Sequence, residues 1–159
     1  MNGEVRLRDA SSSDAPVFAR HQLDAESCRM AGFPARTEEE FLAHWEKTAR
    51  DPANRRRAVL YEGKLAGYVG SFERDGDREV CYWLGREFWG LGLATAALRE
   101  FLKSEPVRPL HARVAKRNPG SIRVLEKCGF VLQSADVFTN RAGEKIDEFV
   151  YRLDGPAAR

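Results

Sequence analysis

The stretch YWLGREFWGLGLAT, residues 82–95, decides the fold. An apolar run ends at Leu84, and Gly90, Gly92 and Ala94 then stand at alternate positions where a helical pattern starts. The first N–H groups of a helix have no partner within it, and the aligned peptide dipoles leave about half a positive charge there. Residues without bulk let a pyrophosphate approach those N–H groups closely. The segment therefore reads as a strand, a diphosphate cradle and a helix start. A plain tight turn is the competing reading, because glycine punctuates turns of many kinds. Thr95 occupies the place of the third glycine of a dinucleotide fingerprint, and no Gly-Lys-Ser/Thr follows to make a P-loop.

Working outward, residues 57–62, 65–73 and 78–84 form strand-like runs joined at Glu62-Gly63 and Asp75-Gly76. The second pair is a strong type I′ hairpin signal, so the three runs predict an antiparallel meander. After the loop, Ala94, Ala97, Leu98, Phe101 and Leu102 share one helical face. Residues 110–115 read as a strand. Asn118-Pro119 opens a further helix, which Gly129 closes. Residues 130–138 and 145–153 predict a final hairpin across 140–143. At the other end, residues 4–8 alternate as a strand, and Asp14 and Pro16 start a helix to about residue 24. Residues 25–36 read as irregular. Thr37 and Glu40 then form a capping box ahead of an apolar stripe of Phe41, Leu42 and Trp45. The predicted order is β-α-α-βββ-α-β-α-ββ, a mixed α/β (α+β) domain over residues 1–159.

The bulk numbers narrow the function classes. The 159 residues suffice for one core without metal or disulfide staples. Net charge is +2, with 20 of 26 basic residues Arg, so no strong field toward nucleic acid or membrane is implied. Cys28, Cys81 and Cys128 show neither a disulfide framework nor zinc-site spacing and read as free thiols. His21, His44 and His111 have no ligand spacing, so no metal is expected. Without a leader-like or membrane-length apolar run, the expected location is the cytoplasm.

A second motif, NPGSIRVLEKCGF, spans residues 118–130. Asn118 caps a helix, Ser121 lies in its first turn, and Lys127 stands near its negative end. Helix capping alone would account for these residues. Taken together, residues 89–95 and 118–130 resemble the two coenzyme-A motifs of the GNAT superfamily of N-acetyltransferases. The first is Q/R-x-x-G-x-G/A, with Gly92 and Ala94 in its small positions. Trp89 replaces the usual Gln or Arg, and the Tyr-Trp-Leu before it resembles the RimJ/RimL-like branch. Ala96 stands where that branch often has Glu.

The resemblance implies a GNAT fold, a mixed and mostly antiparallel sheet of about seven strands flanked by helices. It implies acetyl-CoA as co-substrate, bound by Trp83, Leu84, Trp89, Gly90, Leu91, Gly92, Leu93, Ala94, Thr95, Asn118, Ser121 and Lys127. Leu84 would sit where two strands splay around the pantetheine arm, its N–H polarising the thioester carbonyl. Glu79 is the candidate general base, with an ion pair to Arg57 or Arg78 as its structural alternative. Ser121 is the candidate hydrogen-bond donor to the departing thiolate, since Leu125 occupies the position where many relatives carry an acidic Tyr. Glu26, Arg29, Phe33 and Arg141 would line the acceptor cleft. The implied partner is a small-molecule amine or a peptide or protein N-terminus, with the chain a monomer or homodimer. The other function classes are a non-catalytic acyl-CoA-binding module and a nucleotide-binding regulator.

Overall fold

Two short turns organise the centre of the molecule. Glu62-Gly63 and Asp75-Gly76 both take positive φ, 50° and 78° in the first and 50° and 85° in the second. That geometry matches the twist of antiparallel strands. It folds β2 (Arg55–Tyr61), β3 (Lys64–Arg74) and β4 (Asp77–Leu84) into the expected meander. The computed structural model describes residues 3–158.

With β1 (Val5–Asp9), β5 (Leu110–Ala115), β6 (Val131–Thr139) and β7 (Lys145–Leu153) the sheet has seven strands, ordered β1-β2-β3-β4-β5-β7-β6. Neighbours are antiparallel except β4 and β5, which run parallel and pair only at Arg78–Leu110 and Glu79–His111. Beyond that point the two strands diverge.

Strand alternation sorts side chains between two faces. Val80, Tyr82 and Leu84 join Val59, Val69, Ala112 and Tyr151 under α4 (Leu93–Leu102) and α5 (Pro119–Lys127). The expected α4 face of Ala97, Leu98, Phe101 and Leu102 is buried there, with Ala94 packed at its margin. Full burial of a side chain such as Leu98 or Phe101 contributes about 1.5–3 kcal/mol. The other face, over β2 and β3, is covered by α1 (Ala15–His21) and α3 (Glu38–Ala49). Phe18, Phe41 and Trp45 meet Ala58 and Tyr68 in this second core. The Thr37–Glu40 capping box forms as expected.

Residues 25–36 depart from expectation. The first helix stops at His21, and a separate α2 spans Ala25–Ala31. Asp24 caps it, its carboxylate accepting from both the N–H and the hydroxyl of Ser27, and Gly32 ends it. The helix has seven residues and one large apolar side chain, Met30, so its hydrophobic periodicity is too weak to stand out. Among the described residues no helix is long and apolar enough to cross a membrane.

Candidate active site

Where β4 and β5 part, they leave a cleft of about 560 Å³ bounded by α2, the loop after β4, and the N-terminal turns of α4 and α5. Tyr82, Trp83 and Leu84 form its strand wall. Gly85 to Gly92 make the turn from β4 into α4, and the Trp89 indole N–H ties that turn to the Leu84 carbonyl at 3.2 Å. Gly90 and Gly92 hold φ of 77° and 75°, the left-handed region that disfavours any side chain. The space over both is free of protein atoms within 4 Å. The N–H groups of Phe88 and Trp89 are used within the turn, and the first helical bond runs from Ala96 to Gly92. Among the described residues, no acceptor takes the N–H groups between them, from Gly90 to Thr95. Gly90, Gly92, Leu93, Ala94 and Thr95 line one wall of the cleft, so this run of free main-chain donors lies along it at the positive end of α4.

The opposite wall is α5. Asn118 caps it, accepting from the Ser121 N–H at 3.2 Å, with Pro119 at the first helical position. Asn118, Ser121 and Lys127 all line the cleft, as does Arg123, which the sequence reading missed. Neither Arg123 nor Lys127 has an ion-pair partner among the described residues. The cleft thus offers two free cations and a row of free amides, a setting for a polyanionic ligand.

Of the residues expected to hold a cofactor, Trp83, Leu84, Trp89, Gly90, Gly92, Leu93, Ala94, Thr95, Asn118, Ser121 and Lys127 line this cleft. Leu91 does not; its side chain is exposed outside it. Tyr82 went unnoticed as a site residue. Its hydroxyl shares a 2.6 Å hydrogen bond with Ser121 Oγ, and burial pushes its ionisation upward against the opposing effect of that bond. Strand alternation placed Tyr82 on the α5 face, which was the available signal.

Glu79 is not brought into this cleft. It is buried at the vertex of the splay, paired with Arg74 at 3.1 Å and Arg113 at 3.7 Å. The expected partners are engaged elsewhere, Arg57 with Asp9 and Arg78 with Glu73. Burial raises the Glu79 carboxyl, and the two arginines pull it back down only in part. A separate pocket of about 150 Å³ opens beside it, shared with His111, Arg113 and Asp136.

The four residues expected at the acceptor also lie outside the cleft. Glu26 and Arg29 pair with each other on the outer side of α2. Its inner side, Ser27, Met30 and Ala31, lines the cleft instead. Phe33 stacks on Phe138 at 5.1 Å, and Arg141 donates to the Pro34 carbonyl at 2.7 Å. The thiols of Cys28, Cys81 and Cys128 are free. Cys81, on the Glu79 face of β4, is pushed up to about 12 by burial, so it carries no thiolate at neutral pH. Among the described residues no group of three His, Cys, Asp or Glu side chains is placed to hold a metal.

A family model described as an acetyltransferase (GNAT) domain matches residues 4–131. No curated protein sequence matches the chain significantly. Among solved structures, the chain is similar to a spermidine N-acetyltransferase from Vibrio cholerae in complex with CoA and spermine. That likeness has 21% identity, 94% of this chain and 95% of that one covered, and a TM-score of 0.81. An acetyltransferase of the GNAT family from Bacillus anthracis shares 19% identity over 97% of each chain, with a TM-score of 0.80. An N-acetyltransferase from Staphylococcus aureus Mu50 shares 18% identity over 95% of this chain and 98% of that one, with a TM-score of 0.76.

Proposed function

The chain belongs to the GNAT acetyltransferase family, and on that premise we propose that it transfers the acetyl group of acetyl-CoA to a primary amine by direct attack in a ternary complex. One observation carries the reading. Gly90 and residues 92–95, whose amides take no acceptor among the described residues, line a cleft that Arg123 and Lys127 also line. Diphosphate would sit on those amides, the adenylate end near α5, and the pantetheine arm between the diverging β4 and β5. The neutral Cys81 thiol favours direct transfer over an acyl-enzyme.

The chemistry needs an unprotonated amine. At pH 7 less than about 0.1% of an alkylamine with pKa near 10.4 is neutral, and removing its proton costs about 4–5 kcal/mol. Glu79 is the proposed acceptor of that proton, through water. Five residues of strand separate it from Leu84, roughly 17 Å, which is too far for direct contact with a group held there. Its raised carboxyl suits a base working nearer neutrality. The Leu84 N–H is the proposed donor to the developing oxyanion. On the leaving side, Ser121 Oγ donates to the thiolate, and Tyr82 Oη supports it through their shared hydrogen bond.

The family branch we propose is RimJ/RimL-like, with the chain working as one cytoplasmic domain on a small-molecule amine or a peptide N-terminus. A non-catalytic acyl-CoA module is the second reading, favoured by the ion pairs that engage Glu79. Calorimetric titration with CoA, followed by thiol release from acetyl-CoA over an amine panel, separates the two. Binding with amine-dependent release supports the enzyme. Binding without release for any amine supports the module, and no binding sinks both.

A further inference from the structure

The vertex where β4 and β5 part holds a second cavity, on the sheet face away from α4 and α5. Leu110, Ala112 and Val114 of β5 point into the core under those helices, so alternation turns His111 and Arg113 to the other face. Val80, Tyr82 and Leu84 do the same on β4, which leaves Glu79 on that face too. The parallel register sets Glu79 directly beside His111. Neighbouring strands lie about 4.8 Å apart, so the two side chains rise from adjacent positions. Both line the cavity of about 150 Å³.

Both are also buried, Glu79 at 4% exposure and His111 at 8%. Buried polar groups normally have partners. Glu79 has Arg74 at 3.1 Å and Arg113 at 3.7 Å. The Nδ1 atom of His111 is sealed from solvent and has no hydrogen-bond partner among the described residues.

The charges around the imidazole come from every neighbouring strand. Arg74, Asp75 and Asp77 lie at the β3–β4 turn, Arg113 on β5 and Asp136 on β6, all lining the cavity. Arg113 is shared by Glu79, Asp136 at 3.3 Å and Glu148 of β7 at 2.8 Å. Arg152 of β7, the cross-strand partner of His111, pairs with Asp154 at 2.6 Å. Asp75 and Asp77 are exposed and have no ion-pair partner among the described residues.

We propose that His111, a positioning residue acting through Glu79, takes up the proton that Glu79 accepts from the amine and releases it into this cavity. The inference rests on the acetyltransferase reading with Glu79 as its base. In each turnover one N–H bond of the ammonium breaks and, through water, one O–H bond forms on Glu79. That O–H bond then breaks as an N–H bond forms on the imidazole, which returns Glu79 to the carboxylate. The imidazolium gives one proton to water in the cavity, and the ring ends neutral. Asp75 and Asp77 offer that proton acceptors on its way to solvent. An imidazole suits the step because its ordinary pKa, about 6.5, lets it both take and release a proton near neutrality.

The test follows amine-dependent thiol release by the full chain at saturating acetyl-CoA and low buffer concentration. His111→Ala is expected to lower kcat about tenfold or more, the scale of an impaired proton transfer, with CoA affinity unchanged. Added imidazole is expected to restore kcat in proportion to its free base, entering the space the side chain vacates beside the cavity. Pyrazole, the same shape but a far weaker base, should restore nothing. Equal rescue by both makes the ring a space-filling group and overturns the proposal. Rescue by neither, or a parental kcat in His111→Ala, overturns it as well. If His111→Ala does not fold, the parent decides. Its kcat should be independent of buffer concentration, and a kcat that rises with buffer overturns the relay. Parental rates in Glu79→Gln remove the base and the relay together while the coenzyme site stands. A parent that releases no thiol with any amine overturns the acetyltransferase reading itself.

Discussion

The hydroxyls of Tyr82 and Ser121 lie 2.6 Å apart, one carried by β4 and the other by the first turn of α5. This bond spans the cleft at the place where β4 has already left β5, and it fixes how closely α5 approaches the splayed strand. Both side chains line the cleft. Tyr82→Phe keeps the ring in the core and removes only the hydroxyl, so Ser121 loses its partner without a large packing change. Loss of one hydrogen bond of this kind costs about 1–1.5 kcal/mol, which corresponds to roughly tenfold in rate if it acts in the transition state. Thiol-release kinetics should show kcat lowered about tenfold in Tyr82→Phe and further in Ser121→Ala. CoA affinity in Tyr82→Phe should stay within about twofold of the parent, by the same arithmetic. A fall in CoA affinity with unchanged kcat would assign the pair to binding alone.

Gly92 separates backbone strain from ligand contact. Its φ of 75° puts any replacement side chain in the left-handed region, and the space a Cβ would enter is the proposed diphosphate seat. Gly63 has φ of 78° and equally open surroundings, but it lies in the β2–β3 turn. Alanine at either position costs about 1–2 kcal/mol of stability, or roughly 2–8 °C in Tm. Calorimetry should find CoA affinity reduced roughly tenfold or more, about 1.4 kcal/mol, in Gly92→Ala. In Gly63→Ala it should be unchanged. Equal CoA affinity in the two variants would remove the diphosphate from this loop.

The strands were legible because their signals are local. Asp75-Gly76 dictates a type I′ turn, and the alternation on either side fixes which side chains share a face. The Thr37–Glu40 capping box was legible for the same reason. The helix over Ala25–Ala31 was not, because seven residues with one strong apolar side chain, Met30, give no periodicity. Its Asp24-to-Ser27 cap was the usable sign. A helix at 25–31 turns Ser27 and Met30 toward the cleft, while Glu26 and Arg29, expected at the acceptor, pair with each other away from its lining. Neither expected arginine pairs with Glu79, and for Arg78 the reason is that adjacent strand residues face opposite ways. Arg113 reaches Glu79 from β5. That contact depends on the parallel pairing of two strands far apart in sequence, which no local pattern encodes.

Glu79 gives a pH dependence with a definite sign. Burial raises its carboxyl above the ordinary value, so the folded state holds this proton more tightly than the unfolded state does. Stability linked to this group is therefore fully present below the unfolded value, about 4.3, and is lost as pH rises toward the higher folded value. Glu79→Gln removes that titration. Denaturant melts across this window should show the parent losing stability relative to the variant as pH increases. If Glu79 is also the base, kcat/KM of the parent rises with ionisation of this carboxyl, and that limb disappears in Glu79→Gln. A variant with parental rates at every pH would leave Glu79 with a structural role between Arg74 and Arg113.

Arg123 and Lys127 test the charge of the coenzyme wall. They lie four residues apart on α5, both exposed and both lining the cleft. Exposed cations interact with a polyanion over a distance set by salt, about 10 Å at 0.1 M and 3 Å at 1 M. Each is therefore expected to contribute modestly, about 0.5–1 kcal/mol, or two- to fivefold in CoA affinity. Arg123→Ala and Lys127→Ala should each weaken CoA by that amount in dilute buffer, and the differences should vanish near about 1 M salt. Neither side chain joins the core, so melting temperature should hold, which distinguishes lost attraction from lost structure. A deficit that survives high salt would instead mean a direct, desolvated contact with a phosphate. Because Lys127 also sits in the last turn of α5, where the helix dipole favours a cation, Lys127→Arg should restore both affinity and its salt dependence.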